Sequence, residues 1–338
     1  MNRIWLVGIA LLLNLFPSGC RPATEAPPAP GASNTGPAAL TPVRLALNWF
    51  PEMEHGGFYA AELNGHFKRN GLSVEIIPGG PGTQVMPQVA AGRVEFGIDN
   101  ADNVILARAQ SIPIVAIFAP LQTSPRCIIV HEKSGIRRLE DLRQVTLAMN
   151  ISNPFAVFLQ KTMPLTDVRI VPYSGSVAQF LQDPGFAQQG YLFSEPYLMT
   201  RQGGDPHSLL LADAGFNPYT SVVITTEQAL TAHPELAQKF VQACAAGWRD
   251  YLAAPGPINA HIHQLNPQMD MQVLDYGAET LRPMACTSDT TRLGLGAMTP
   301  ERWQALLEKM EQIGLVKPAT VAPAQCFTAR FVPGPGPQ

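Results

Sequence analysis

Hydrophobic and polar positions alternate from residue 43 to 47, between Pro42 and Asn48, and this period-two pattern predicts a first strand. Residues 55–70 read as a helix that stops at Gly71, and 72–77 as a second strand. Gly79-Gly80-Pro81-Gly82 is a loop, followed by a helix over 84–92 with a glycine at its C-terminal end. A short apolar strand over 94–98, a helix over 101–109 and a strand over 112–118 complete the first set. This strand–helix rhythm implies a mainly parallel sheet covered by helices.

A second α/β set follows. Residues 146–149, 168–172 and 190–193 read as its strands, and 154–161 and 176–181 as its helices. It lies between two β-rich runs, 127–131 and 221–225, which are expected to be hinge strands. Beyond Thr226 the chain turns helical, over 234–252, 269–280 and 300–313. The expected organisation is a discontinuous first lobe, 41–130 and 223–330, with a second lobe, 131–222, inserted in it. Two lobes joined by two strands make a cleft that can close on a small molecule by hinge motion.

Both ends read differently. Arg3 precedes an almost unbroken apolar run over 4–16, sized for a signal peptide and too short to span a bilayer. Ser18-Gly19-Cys20 resembles a bacterial lipobox, with Pro17 where Leu is usual. Residues 1–20 are therefore expected to be a lipoprotein signal, with Cys20 acylated. The alternative is an ordinary secreted protein cleaved nearby. Residues 21–40, rich in Pro, Ala, Gly, Ser and Thr, read as a disordered tether. Alternating Pro and Gly makes 331–338 an expected disordered tail. The expected place is outside the cytoplasm, lipid-anchored to a bacterial membrane.

Between tether and tail lie about 290 residues, enough for two domains. The chain is 46% hydrophobic and 14% charged, with a net charge of −3. It carries no basic stripe, which argues against a nucleic-acid partner. Cys127, Cys244, Cys286 and Cys326 fit no zinc spacing; Cys286 and Cys326 can pair, or all four can be buried thiols.

The junction at 47–61, Leu-Asn-Trp-Phe-Pro-Glu-Met-Glu-His-Gly-Gly-Phe-Tyr-Ala-Ala, carries most of the candidate chemistry. It falls where a first strand enters a first helix, the place where open α/β sheets bind ligands. Trp49 offers a face for a flat ring, Asn48 a donor and an acceptor, and His55 a ligand bond or a cap, while Tyr59, one helical turn beyond His55, lines the same wall or packs in the core. Glu52 and Glu54 read as solvated loop carboxylates, and Gly79 to Gly82 as a weak anion loop. Asn100 is the best polar contact after the third strand. In the second lobe, Ser152, Asn153, Tyr173 and Ser174 stand at helix starts, as N-caps or ligand donors. Glu195 follows a strand at the cleft mouth, and Tyr197 and Tyr219 are candidates for the opposite wall. The pair His261-x-His263 lacks a third ligand, so no metal site is expected, and no cofactor or catalytic motif is apparent.

Three stretches together resemble a known family: Asn48-Trp49-x-Pro51-x-x-x-His55; Gly65-His66-Phe67-x-x-Asn70-Gly71-Leu72-x-Val74-Glu75; and Ala91-Gly92-Arg93-Val94-Glu95-Phe96-Gly97-Ile98. Asp141-Leu142, Ser194-Glu195-Pro196 and the run from His233 to Ala243 agree. The pattern resembles the thiamine-pyrimidine-precursor (NMT/THI-like, SsuA-like) substrate-binding proteins of ABC importers. The resemblance implies the α/β periplasmic-binding-protein type II fold. It also implies a monomeric receptor that passes a small heterocyclic solute to a membrane permease, with Glu195 accepting from an aminopyrimidine. Sulfonate, nitrate and riboflavin receptors share the fold. The family's synthase branch needs a reactive Lys and His, which align with Asp99 and Asn103, and a Cys-rich motif where 214–219 reads Ala-Gly-Phe-Asn-Pro-Tyr. The expectation is therefore a binding protein and not an enzyme, with a sensor or synthase-like enzyme on the same fold as the alternative.

Overall fold

The computed structural model describes residues 39–335; the expected signal peptide, Cys20 and the tether up to residue 38 lie outside the described residues. The chain enters at β1 (Thr41–Ala46) and passes through α1 (Gly56–Leu63) and α2 (His66–Arg69) into β2 (Leu72–Ile77), which lies parallel beside β1. α3 (Val85–Ala90), β3 (Phe96–Asp99), α4 (Ala101–Ala109) and β4 (Ile114–Phe118) follow. β5 (Arg126–His131) opens a second sheet, continued by β6 (Thr146–Ala148), α5 (Pro154–Thr162), β7 (Arg169–Val171), α6 (Ala178–Gln182), β8 (Phe186–Tyr191), α7 (Glu195–Arg201) and β9 (Pro206–Leu210). β10 (Val222–Thr226) returns to the first sheet. The remainder is helical: α8 (Glu227–Ala232), α9 (Pro234–Ala253), α10 (Gly256–Leu265), α11 (Met271–Ala285), α12 (Ser288–Leu293), α13 (Pro300–Gln312) and α14 (Pro323–Cys326).

The strand orders are β2-β1-β3-β10-β4 and β7-β6-β8-β5-β9. β10 runs antiparallel between β3 and β4, and β5 runs antiparallel between β8 and β9. Both faces of the first sheet are buried. Leu45, Phe96 and Ile98 pack with Phe58 and Trp248 on one side, and Ala46, Ala116 and Ile224 with Val104 and Trp303 on the other. A sheet covered twice is why β3, β4 and β10 read as nearly continuous apolar runs, while β1 and β2 alternate.

The expected hinge strands need correcting. The runs near 130 and 223 are β5 and β10, each a full member of one sheet. The chain instead passes between the sheets at 119–125 and 211–221. There Leu121 and Thr220 form a lone antiparallel bridge, with the Thr220 N–H donating to the Leu121 carbonyl at 3.2 Å. The end of the chain also differs from expectation. Phe331 is buried with Val223 and Phe240, and Gln238 Nε2 donates to its carbonyl at 3.2 Å, so ordered packing passes residue 330. Cys286 and Cys326 do not pair; all four described thiols are free, and Cys286 alone of them is exposed.

The close approach of α9 to α1 depends on a glycine whose neighbours are backbone. A Cβ on Gly247 of α9 would lie 2.2 Å from the Gly57 carbonyl oxygen and 2.5 Å from the Ala61 nitrogen of α1. Those neighbours are backbone and cannot turn aside. Gly247→Ala is therefore expected to lower stability by about 1–3 kcal/mol, the usual cost of overpacking. Urea unfolding measures it, and unchanged stability would show that the helices separate at little cost.

Candidate functional site

The C-terminal ends of β1 and β3 meet the ends of β7 and β8 and the first residue of β5 where the two sheets face each other. Hydrogen bonds and charge interactions between their side chains define the site. Ser221, the last residue of the second crossing, holds the first-sheet side together. Its hydroxyl donates to Glu54 at 3.1 Å, and its N–H donates to the Asn100 side-chain oxygen at 3.1 Å. Ser221 has φ 55°, a left-handed conformation that is costly for a residue other than glycine.

Glu52 and Glu54 are not solvated. They are 6% and 1% exposed, and His55 is 0% exposed. The chain after Trp49 folds inward: Met53 is fully buried and packs beside Gly277 of α11, carrying both acids down with it. His55 Nε2 lies 2.9 Å from the Asn48 side-chain oxygen and 3.4 Å from Glu54. His55 thus joins the Asn48–Glu54 network. Burial lowers its pKa to about 3, so the ring is neutral near pH 7. Burial pushes Glu54 up to about 7, against the opposing pull of the Ser221 hydroxyl, the Arg126 charge and Asn48. Burial, together with the neighbouring Glu54 and Glu195 charges, drives Glu52 well above the usual carboxylate range. Asp102, in the first turn of α4, rises to about 6 by burial, opposed by Arg126.

Asp99 and Asn103, where a synthase's Lys and His would fall, are bonded to each other, Asn103 Nδ2 donating to Asp99 at 2.7 Å. The Gly79 N–H is engaged by the Trp49 carbonyl at 2.9 Å, so that loop does not hold it free for an anion.

Across the site, the structure brings Tyr173 and Glu195 together. The Tyr173 hydroxyl donates to one Glu195 oxygen at 2.8 Å and the Tyr191 N–H to the other at 2.8 Å. Gly190 makes room for this: a Cβ there would lie 2.6 Å from Ile129 and 3.2 Å from Glu195. Trp49 remains open at the end of β1, 38% exposed and edge-on to Phe50 at 5.6 Å. Ser152 is exposed, its hydroxyl donating to Asn150 at 2.7 Å; Asn153 caps α5 by position without a side-chain cap bond; Ser174 is exposed.

Three aromatic candidates pack elsewhere. Tyr59 is buried against His261 of α10, with ring centroids 5.8 Å apart. The helix begins at Gly56, so His55 precedes it and the assumed one-turn spacing from His55 to Tyr59 does not apply. Tyr219 is buried: its hydroxyl accepts from the Thr299 N–H at 3.0 Å, and the Arg302 guanidinium lies 3.9 Å above its ring. Tyr197 stacks on Tyr276 of α11 at 4.5 Å, which pins α7 to α11 beside an Arg201–Asp270 pair of 3.2 Å.

Sequence reading missed Arg126. It starts β5, its guanidinium lies 4.6 Å from both the Phe155 and Tyr191 rings, and its Nη2 donates to the Tyr191 hydroxyl at 2.8 Å. Its charge acts on Glu54 and Asp102 from one side and on Tyr173 and Tyr191 from the other. The available signal was an arginine directly before an apolar strand, which ordinarily marks a solvated strand end.

A family model described as "NMT1/THI5 like" matches residues 52–257. The chain is 27% identical to the riboflavin-binding protein RibY of Chloroflexus aurantiacus, over 99% of this chain and 99% of that protein. It is 35% identical over 80 residues to a formylaminopyrimidine-binding protein of Halalkalibacterium halodurans, 23% of this chain and 24% of the other. Other partial matches are to proteins named as pyrimidine phosphate synthases. Among solved structures, the periplasmic aliphatic sulphonate binding protein SsuA of Escherichia coli superposes with a TM-score of 0.63 at 14% identity, covering 88% of this chain and 94% of that one. The fold is that of the periplasmic binding proteins, as the sequence implied.

An acid with a higher pKa in the folded chain than in the unfolded one binds more protons when folded, so its contribution to stability is lost as pH rises. Glu54 moves from 4.5 to about 7, so the loss runs from about pH 4.5 to a little above pH 7, and the part above pH 6 is the part that can be read without acid unfolding. Replacing the acid by an amide removes the effect. Relative to the native chain, Glu54→Gln should therefore gain about 1 kcal/mol of stability between pH 6 and pH 8. His55, held neutral, acts in the opposite sense below its ordinary value of 6.5, so the comparison is made between variant and native chain rather than on the native curve alone. Urea unfolding at three pH values checks this; a constant difference would place Glu54 in water.

Proposed function

The chain belongs to the NMT1/THI5-like family, and on that premise we propose that it is an extracytoplasmic solute-binding protein of an ABC importer. It closes on a small flat heterocycle and delivers it to a membrane permease. The observation that carries this reading is the polar site itself: ionisable groups from two sheets, joined by two crossing segments, converge at the strand ends. Such a site can take a ligand between the sheets and release it when they part.

Riboflavin is the first ligand candidate, supported by the likeness over the whole chain to a protein named for binding it. An aminopyrimidine is the second, supported by the shorter likeness to a formylaminopyrimidine-binding protein. Trp49 would stack on the ring from the open end of β1, and Asn48, Asn100, Ser152, Asn153 and Ser174 lie on the loops that would close around it. No catalytic step is proposed. Asp99 cannot form the Schiff base that synthase chemistry requires, and its oxygen holds Asn103. The protein is proposed to act as a monomer, without cofactor, tethered to the membrane through acylated Cys20.

The test is titration of the mature chain with riboflavin, followed by quenching of flavin fluorescence, and calorimetric titration with aminopyrimidines. Saturable 1:1 binding of either is expected, with Trp49→Ala weakening it about tenfold, the loss of one stacking contact. Absence of binding across both classes would contradict the reading. The anchor is checked separately. Cys20→Ala is expected to move the protein from the membrane fraction to the soluble one; retention would show that Cys20 carries no lipid.

A further inference from the structure

The Arg126 guanidinium is held in place but not neutralised. Two rings flank it, and one of its N–H groups is engaged by the Tyr191 hydroxyl at 2.8 Å. Among the described residues it forms no ion pair. It is half-buried, so its remaining donors reach open space. The acids whose fields it feels, Glu54 and Asp102, rise by burial to about 7 and about 6, so near neutral pH they balance its charge only in part. Glu195 is in the opposite condition, with one oxygen accepting from Tyr173 and the other from Tyr191. These two bonds fix the carboxylate in one orientation against its own sheet, whereas the free donors of Arg126 have no such partner.

We infer that Arg126 determines specificity in this cleft by donating to an acceptor edge of the ligand, so that the preferred class is an oxo-substituted heterocycle, such as the pyrimidinedione end of a flavin, and not an aminopyrimidine. This rests on the binding reading above. A planar guanidinium presents a fork of parallel donors that suits two acceptors on one ring edge, whereas an aminopyrimidine sets an amino donor beside its ring-nitrogen acceptor and would satisfy only one arm of the fork. Glu195 is then a positioning residue. It fixes the backbone at Tyr191, and Tyr191 in turn fixes Arg126.

The test uses the mature chain, its Arg126→Lys and Arg126→Met variants, and Tyr191→Phe. Each is titrated with riboflavin and with 4-amino-5-hydroxymethyl-2-methylpyrimidine, with thermal unfolding as a check on folding. The native chain is expected to prefer riboflavin. Arg126→Met should lose about 100-fold in riboflavin affinity, the scale of a charge-assisted contact, and Arg126→Lys at least tenfold because the fork is lost. Tyr191→Phe should weaken riboflavin binding while remaining folded. Native-like riboflavin affinity in a folded Arg126→Met or Arg126→Lys chain would overturn the inference, as would a native preference for the aminopyrimidine. Binding of neither compound by the native chain would overturn the functional reading and this inference with it.

Discussion

The two crossings between the sheets are short, and they touch each other backbone to backbone at Leu121 and Thr220. The rest of the site depends on that juncture. The residue after Thr220, Ser221, is forced into a left-handed conformation, and in that pose its two polar groups reach Glu54 and Asn100. The residues just after Leu121 lead directly to Arg126 at the start of β5. One crossing thus anchors the acids of the first sheet, and the other delivers the cation that faces them.

Burying Glu52, Glu54, Asp102 and His55 together works against folding, since each charged form loses its hydration. The chain accommodates this by shifting protonation rather than by ion pairing. The acids rise toward neutrality, His55 loses its proton, and Arg126 is flanked by rings instead of a carboxylate. Perturbed groups of this kind concentrate where a protein binds or reacts. Glu195 and Tyr173 make a second, hydrogen-bonded cluster on the other sheet, beside Arg126, so the two sides of the site differ in kind: one holds buried acids, the other a positioned carboxylate and a cation.

Much of this was legible in the sequence, for reasons that can be named. β2 and α4 stand where their patterns predicted, because a short alternating strand and a helix with a polar start are local features. β8 was read too late in the chain because Gln188 and Gln189, both buried, interrupt its apolar pattern. β9 begins with Pro206 and is polar, as an edge strand can be, and gave no strand signal. Glu195 was found through its motif, but its bond to Tyr173, 22 residues away, left no trace in spacing. Glu52 and Glu54 looked like a solvated loop because their burial comes from Met53 and α11, more than 200 residues apart in sequence. Arg126 was hidden for the same reason, since its meaning lies in Phe155 and Tyr191.

The central claim is that a ligand is held between the two sheets by groups from both. Hydrogen–deuterium exchange of the mature chain with and without saturating riboflavin tests it most directly. The account predicts slowed exchange in two separate places at once, residues 48–55 and 100–103 on the first sheet and 173–174 and 191–195 on the second. Protection confined to one sheet, or none in either, would contradict it.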